Sequence, residues 1–309
     1  MTQPSVMTVQ GPVKSADLGI TLPHEHVLVD LFPVNGNRYA RLIDVEQMDV
    51  ELSRLREAGA GTVVEVTPRN VGRDPAGLLS LSKSVGLHVV MGTGWYRERW
   101  YEPEVARLSV ADCAAILVDE IEQGVDGIRP GIIGEVGTDA TWISPLEERG
   151  FRAAAKAHLT TGLTITTHAY GCAVGLDQLD LLVEAGVDPR RVIVGHCDTF
   201  WDAAYHQEIA SRGAWVQFDT VRYVNDWEFT KRAVAIEALL DAGFGHHVLL
   251  SQDISEQPFL STNGGPGYTC LLDSFVPFLL GRGFVTQEQV LRLTTTNPQQ
   301  ALHGPPDRW

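Results

Sequence analysis

Six residues spread along most of the chain carry the side chains that bind cations or move protons: His24, His26, Glu135, His168, His196 and Asp253. Each stands at the end of a short apolar or β-branched run. Glu135 poses the sharpest question. The stretch "RPGIIGEVGTDA" reads as a buried strand through Ile132, Ile133 and Val136, yet its acid has glycines beside it and no cation in the next few residues. A buried, unpaired carboxylate costs several kcal/mol or is forced to take up a proton. A lone buried histidine is most often a satisfied core residue, but burying six such groups independently would leave several without partners. One shared cationic centre satisfies them together.

Imidazole and carboxylate suit zinc, and also manganese, cobalt or iron. Six ligands exceed what one tetrahedral ion uses while keeping a place open for water. Two divalent ions about 3.5 to 4 Å apart, bridged by a carboxylate and a hydroxide, would use the whole set. The expected partition puts His24, His26 and Asp253 on one ion and His168 and His196 on the other, with Glu135 shared.

The elements that must position these residues follow from the pattern. Eight β-branched runs, "GITLPHEHVLVD", "GTVVEVTP", "LHVVMGTGW", "PGIIGEVGTD", "LTITTHAY", "RVIVGHCDT", "AWVQFDTV" and "HVLLSQDI", alternate with stretches of helical spacing. Helices are expected over 45–58, 74–85, 110–122, 145–159, 176–185, 202–212, 230–242, 268–280 and 287–302. Ser144-Pro145-Leu146-Glu147 gives the clearest start, and Gly162, Gly186 and Gly243 fall where C-terminal caps belong. Eight β-then-α units without a linker predict an α/β chain folded as one (β/α)8 TIM barrel over residues 1–309. In such a barrel all strand ends open on one mouth, so the six residues converge. Strand alternation points His24 and His26 inward and Glu25 away. Two longer loops are expected, 31–43 and 255–267, the second rich enough in Gly and Pro to be a mobile flap.

Composition narrows the function. With 24 basic and 39 acidic residues the net charge is −15 and no Lys/Arg cluster occurs, which argues against nucleic acid or an anionic membrane as partner. No apolar run approaches the roughly 18 residues of a membrane span, and the first residues lack a signal-peptide pattern. The expectation is a soluble, cytoplasmic protein acting on a small molecule, with a homodimer compatible. Four cysteines stand singly, without a CxxC pair. Cys197 beside His196 is read as a buried thiol rather than a nucleophile.

The motifs "HEH" at 24–26, "GEVGT" at 134–138, "THAYG" at 167–171, "GHCD" at 195–198 and "SQDI" at 251–254 resemble, strand by strand, the phosphotriesterase family of the amidohydrolase superfamily. The branch most resembled is that of phosphotriesterase homology, or phosphotriesterase-related, proteins, and the resemblance spans nearly the whole chain. True phosphotriesterases and many lactonases of the family bridge their metals with a carbamylated lysine on the fourth strand, where this chain has Glu135. Lactonases of the family also carry a Tyr after the third strand and an Arg after the seventh. Tyr96 matches the first, whereas Asp219 and Thr220 stand where the Arg region begins and Arg222 is out of register.

The resemblance and the ligand set together imply a binuclear metal-dependent hydrolase. Asp253 is expected both to ligate and to take the proton from the attacking water, and Tyr96 either to position a carbonyl oxygen or leaving group or to be a rim residue. Asp198 either orients a ligand or caps the following helix, the second being preferred. Arg97, Arg99 and Arg222 either meet an anionic substrate group or are surface charge. Three functions are open: hydrolysis of a lactone, ester or N-acyl amide; phosphotriester hydrolysis; and a metal-bearing barrel that binds without turnover. A mononuclear deaminase, which also uses an HxH pair, would need a catalytic Glu near its third histidine, and none follows His168.

Overall fold

The eight runs become eight parallel strands: β1 (Ile20–Glu25), β2 (Ala60–Glu65), β3 (His88–Thr93), β4 (Ile132–Gly137), β5 (Ile165–His168), β6 (Val192–Gly195), β7 (Trp215–Phe218) and β8 (Val248–Leu250). In this computed structural model, which describes residues 4–303, they lie side by side in chain order as a nearly closed barrel. Val64, Val90, Ile132, Ile193, Trp215 and Leu249 fill the interior, while Val63, Val89, Ile133, Ile165, Val194 and Val216 pack outward beneath the helices. Burial on both faces is why the strands read as apolar runs instead of alternating with polar residues.

Seven helices of nine or more residues connect the strands: α1 (Val45–Glu57), α2 (Pro75–Val85), α3 (Val110–Gln123), α4 (Pro145–Thr161), α5 (Val174–Glu184), α6 (Ala203–Ser211) and α7 (Asp226–Asp241). The Ser144 to Glu147 capping box forms as expected. Beyond β8 the two expected helices are less regular. Each contains a wide π turn, at Leu271–Phe275 and Arg292–Thr296. In the second, the Thr294 hydroxyl donates to the Val290 carbonyl at 2.9 Å and competes with the backbone ladder. A hairpin absent from the expected elements, Ser5–Thr8 with Gly11–Lys14, adds Val6 to the barrel core. Its strands are only four residues long, too short for a period to show.

Two irregularities aim the site residues. Between β4 and β5 the register runs from Ile133 opposite Ile165 to Val136 opposite Thr167, so β4 carries an extra residue. This bulge resets the alternation: Ile133 and Val136 both pack outward, and Glu135 turns into the barrel. Gly134 permits it, since its φ is 131° and a Cβ there would lie 2.2 Å from the Thr166 carbonyl oxygen. A second shift, between Leu22 and Glu25 on β1, sets His24 and His26 inward with Glu25 on the other face.

Glu25 closes the barrel's seam. No regular ladder joins β8 to β1; instead the Glu25 carboxylate accepts from the backbone N–H groups of Gln252 (2.9 Å) and Ile254 (3.0 Å) and from the Ser251 hydroxyl (2.8 Å). Burial pushes this acid up to about 7, against the three donors. The 255–267 loop is not a loose flap: Thr262 N and Ser261 Oγ bond to Glu51 of α1 at 2.7 and 2.9 Å, and Gln257 N bonds to the Tyr39 carbonyl at 2.8 Å. Its many Gly and Pro residues shape tight turns around the buried Leu260.

Replacing Glu25 by Leu removes the acceptor for three buried donors. It should lower unfolding free energy by about 2 to 4 kcal/mol, read from denaturant midpoints, with Glu25→Gln losing less. Stability equal to the parent would show that the seam does not depend on this carboxylate.

Candidate metal centre

At the mouth, one carboxylate meets four imidazoles. Glu135 Oε2 lies 3.0 Å from His168 Nδ1, 3.4 Å from His196 Nε2 and 3.5 Å from His24 Nε2, while Oε1 lies 3.4 Å from His26 Nε2. Asp253 Oδ1 stands 3.3 Å from His26 Nε2 and 3.9 Å from His24 Nε2. All six expected residues are buried and brought together, five of them, all but His24, lining a cavity that Tyr96, Val29, Leu31, Pro68 and Val71 also line. The ligand atoms of His24, His26 and Glu135 can converge on one point, and those of Glu135, His168 and His196 on another.

Protein groups alone do not satisfy this cluster. Both nitrogens of His24 and Nε2 of His168 are buried without an aligned hydrogen-bond partner. The charges are also at odds. Burial lowers His24 and takes His168 down to about 4. Burial acts the same way on His26, but Asp253 and Glu135 carry it up to about 10; Asp219 and Glu135 likewise raise His196 against its burial. Burial pushes Glu135 upward, and the surrounding histidines overcome it and hold the acid well below the usual range. Imidazole nitrogens and ionised carboxylates gathered on two points are the donor set that divalent ions take, the ions displacing the protons of His26 and His196, so the residues present fit such ions.

Three of the four histidines are oriented from behind. Asp219, at the end of β7, accepts from His196 N (3.0 and 3.1 Å) and sits 2.7 Å from His196 Nδ1 and 3.2 Å from His24 Nδ1, leaving both Nε2 atoms facing Glu135. His26 Nδ1 lies 2.9 Å from the Thr67 hydroxyl, which in turn bonds to the buried Glu65. A carboxylate or hydroxyl on the far nitrogen fixes ring orientation and tautomer. His196 and Asp253 have left-handed backbones, with φ of 57° and 50°. For non-glycine residues that costs roughly 1 to 2 kcal/mol each, a strain that concentrates at functional sites.

Two sequence readings change here. Asp198 does not cap α6; Asp202 does, accepting from Ala204 N and Tyr205 N. Asp198 is instead buried beneath the site, where it bonds to the Arg232 guanidinium (2.7 Å), Thr220 N (3.0 Å) and Asp219 N (3.2 Å) and so fixes the residue that orients the histidines. Arg222 is not a surface charge. Its Nη1 lies 2.6 Å from Asp253 Oδ2 and also reaches the Asp253 and Gln252 carbonyl oxygens. Burial pushes Asp253 upward, but Arg222 with His26 and His196 holds it well below the usual carboxylate range. Tyr96 is buried with its ring centroid 4.9 Å from that of His168, and burial keeps its phenol protonated by raising it well above its ordinary value.

A parallel barrel whose mouth gathers four histidines and acids from its strand ends has the architecture and the donor set on which metal-dependent hydrolases are built. Residues 4–302 match the model of the phosphotriesterase family, and the chain belongs to that family. It is 40% identical over 284 residues to the phosphotriesterase homology protein of Escherichia coli, covering 91% of this chain and 97% of that one. A solved structure of the E. coli protein, complexed with phosphate in its active site, superposes with a TM-score of 0.88 at 39% identity, covering 92% of this chain and 98% of that one. An N-acetyltaurine hydrolase from Tetraodon nigroviridis is 30% identical, over 96% of this chain and 97% of its own. A lactonase from Listeria monocytogenes superposes with a TM-score of 0.89 at 25% identity, over 96% and 98% of the two chains. The family is one of hydrolases that use divalent metals.

Asp219→Asn keeps the shape but weakens the hold on two imidazoles. Metal affinity, read by competition with a chelator of known strength, should fall about ten- to a hundredfold, while unchanged affinity would mean that Asp219 only supports the backbone of β7.

Proposed function

We propose that the protein is a binuclear hydrolase that cleaves a carboxyl derivative: a lactone, an ester or an N-acyl amide. The observation that carries this reading is Glu135, within 3.5 Å of nitrogens from all four histidines, with one oxygen toward His26 and the other toward His24, His168 and His196. A carboxylate so placed is suited to bridge two ions, zinc fitting the donor set best. His24, His26 and Asp253 would hold one ion, His168 and His196 the other, with Glu135 between. When bound, such ions lower the pKa of a water at the site and polarise the bond to be cleaved.

The chain's own groups do the rest. Arg222 occupies Asp253 Oδ2, so Oδ1, on the side of His26, is the oxygen that would both ligate and take the attacking water's proton. Tyr96, held protonated beside His168, donates a hydrogen bond to the carbonyl oxygen or the departing atom. Buried Val29 and Val71 and half-buried Leu31 exclude bulk water from one side of the cavity. The names of the N-acetyltaurine hydrolase and lactonase relatives favour acyl over phosphoryl substrates. So does the glutamate where true phosphotriesterases of the family carry a modified lysine.

A panel of lactones, aryl esters, N-acyl amides and phosphotriesters assayed with metal-reconstituted protein tests the reading. Acyl turnover should dominate and vanish on chelation, and Glu135→Gln should lower kcat/KM by about a thousandfold or more. Dominant phosphotriester turnover, or a Glu135→Gln variant at full rate, would overturn it.

A further inference from the structure

Three arginines approach the mouth, and two are already committed. Arg222 is buried against Asp253. Arg99 has a side chain 53% exposed and pairs with Asp139 at 2.7 Å. Arg97 is different. Its guanidinium carbon lies 4.6 Å from the Tyr96 ring centroid and 4.3 Å from that of Trp100, so two aromatic faces fix its plane. Its Nε is buried with no hydrogen-bond partner among the described residues. The acid beside it, Asp139, stands at 3.6 Å and lies nearer to Arg99. No hydrogen bond joins its terminal nitrogens to any described residue.

The position is as telling as the free donors. Arg97 crosses the end of β4, where a Cβ on Gly137 would meet Arg97 Cγ at 3.0 Å and His168 Cβ at 2.9 Å. The guanidinium is thus one aromatic ring, that of Tyr96, away from the metal-binding cluster. Arg97 shares Asp139 with Arg99 as the more distant partner, at 3.6 Å against 2.7 Å, and a guanidinium set against rings without hydrogen bonds of its own is preorganised to hold a carboxylate or sulfonate by paired hydrogen bonds. A local cation also matters because a chain of net charge −15 otherwise repels anions.

We propose that Arg97 is a specificity residue that receives a carboxylate or sulfonate carried by the substrate a few bonds from its scissile acyl group. This rests on the hydrolase reading above and narrows its substrate class to anionic acyl compounds.

The test pairs N-acetyltaurine and N-acetyl-β-alanine with the neutral N-acetylethanolamine, in the metal-reconstituted parent and in Arg97→Gln. The parent should prefer the anions. In Arg97→Gln, kcat/KM for the anions should fall about ten- to a hundredfold, chiefly through KM, while the neutral substrate stays within about twofold. Arg97→Lys, with the charge but not the fork, should fall between. Calorimetric binding of the same compounds separates the two claims. Anion-selective binding that Arg97→Gln abolishes, with no turnover of any compound, would sustain the role of Arg97 and defeat the hydrolase reading. Equal losses on anionic and neutral compounds, or a parent that neither binds nor cleaves anions preferentially, would overturn the proposal.

Discussion

The crowding of four imidazoles around the Glu135 carboxylate is the constraint on which the rest of this structure turns. Were the rings neutral, buried nitrogens would lack partners; were all protonated, like charges would be pressed together out of water. The opposed shifts across the cluster, with His26 raised to about 10 and His168 lowered to about 4, express that conflict in protonation. A pair of cations, as proposed above, would resolve it by giving each lone pair an acceptor of charge.

Much of the surrounding architecture can be read as support for that cluster. The β4 bulge turns Glu135 inward, and the β1 shift sets the two histidines of "HEH" on the inner face. Behind the rings runs a chain of buried polar contacts, from Arg232 to Asp198 to Asp219 and then to His196 and His24. Glu25, on the opposite face of β1 from the histidines, ties that strand to the segment bearing Asp253. The barrel's seam and its chemistry are therefore built from adjacent residues of one strand.

The barrel and the convergence of the six residues were legible in the sequence because both depend on local signals: β-branched runs, helix caps, and polar residues that end apolar strands. The supporting residues were harder to read. Asp219 ends its strand just as Glu135 does, and the same signal would have singled it out, but nothing local says whether such an acid faces a cation or the back of a histidine. Asp198 reads as a cap because it precedes a helix; its partner Arg232 lies beyond both α6 and β7 in sequence, and only the packing of α7 against the β7 end joins them. Glu25 was correctly read as facing away from the barrel axis, yet its burial under the β8 loop depends on a long-range seam. The Gly and Pro content of the 255–267 loop suggests a flap, but such content marks turns as readily as motion.

At the mouth the same division holds between what is fixed and what is open. Arg222 is consumed by Asp253, Tyr96 is set against His168, and Arg97 has a 3.6 Å ion pair with Asp139 but no hydrogen bond to Nε among the described residues. All of this presupposes the bridge at Glu135, and a glutamate, unlike a lysine, needs no carbon dioxide to supply a bridging carboxylate. The direct test is the metal content of protein reconstituted in bicarbonate-free buffer, measured by elemental mass spectrometry on the parent and on Glu135→Gln. The account predicts about two ions per parent chain, the same number when bicarbonate is added, and a marked loss in Glu135→Gln. One ion or none in the parent, a requirement for bicarbonate, or full loading of the variant would contradict it.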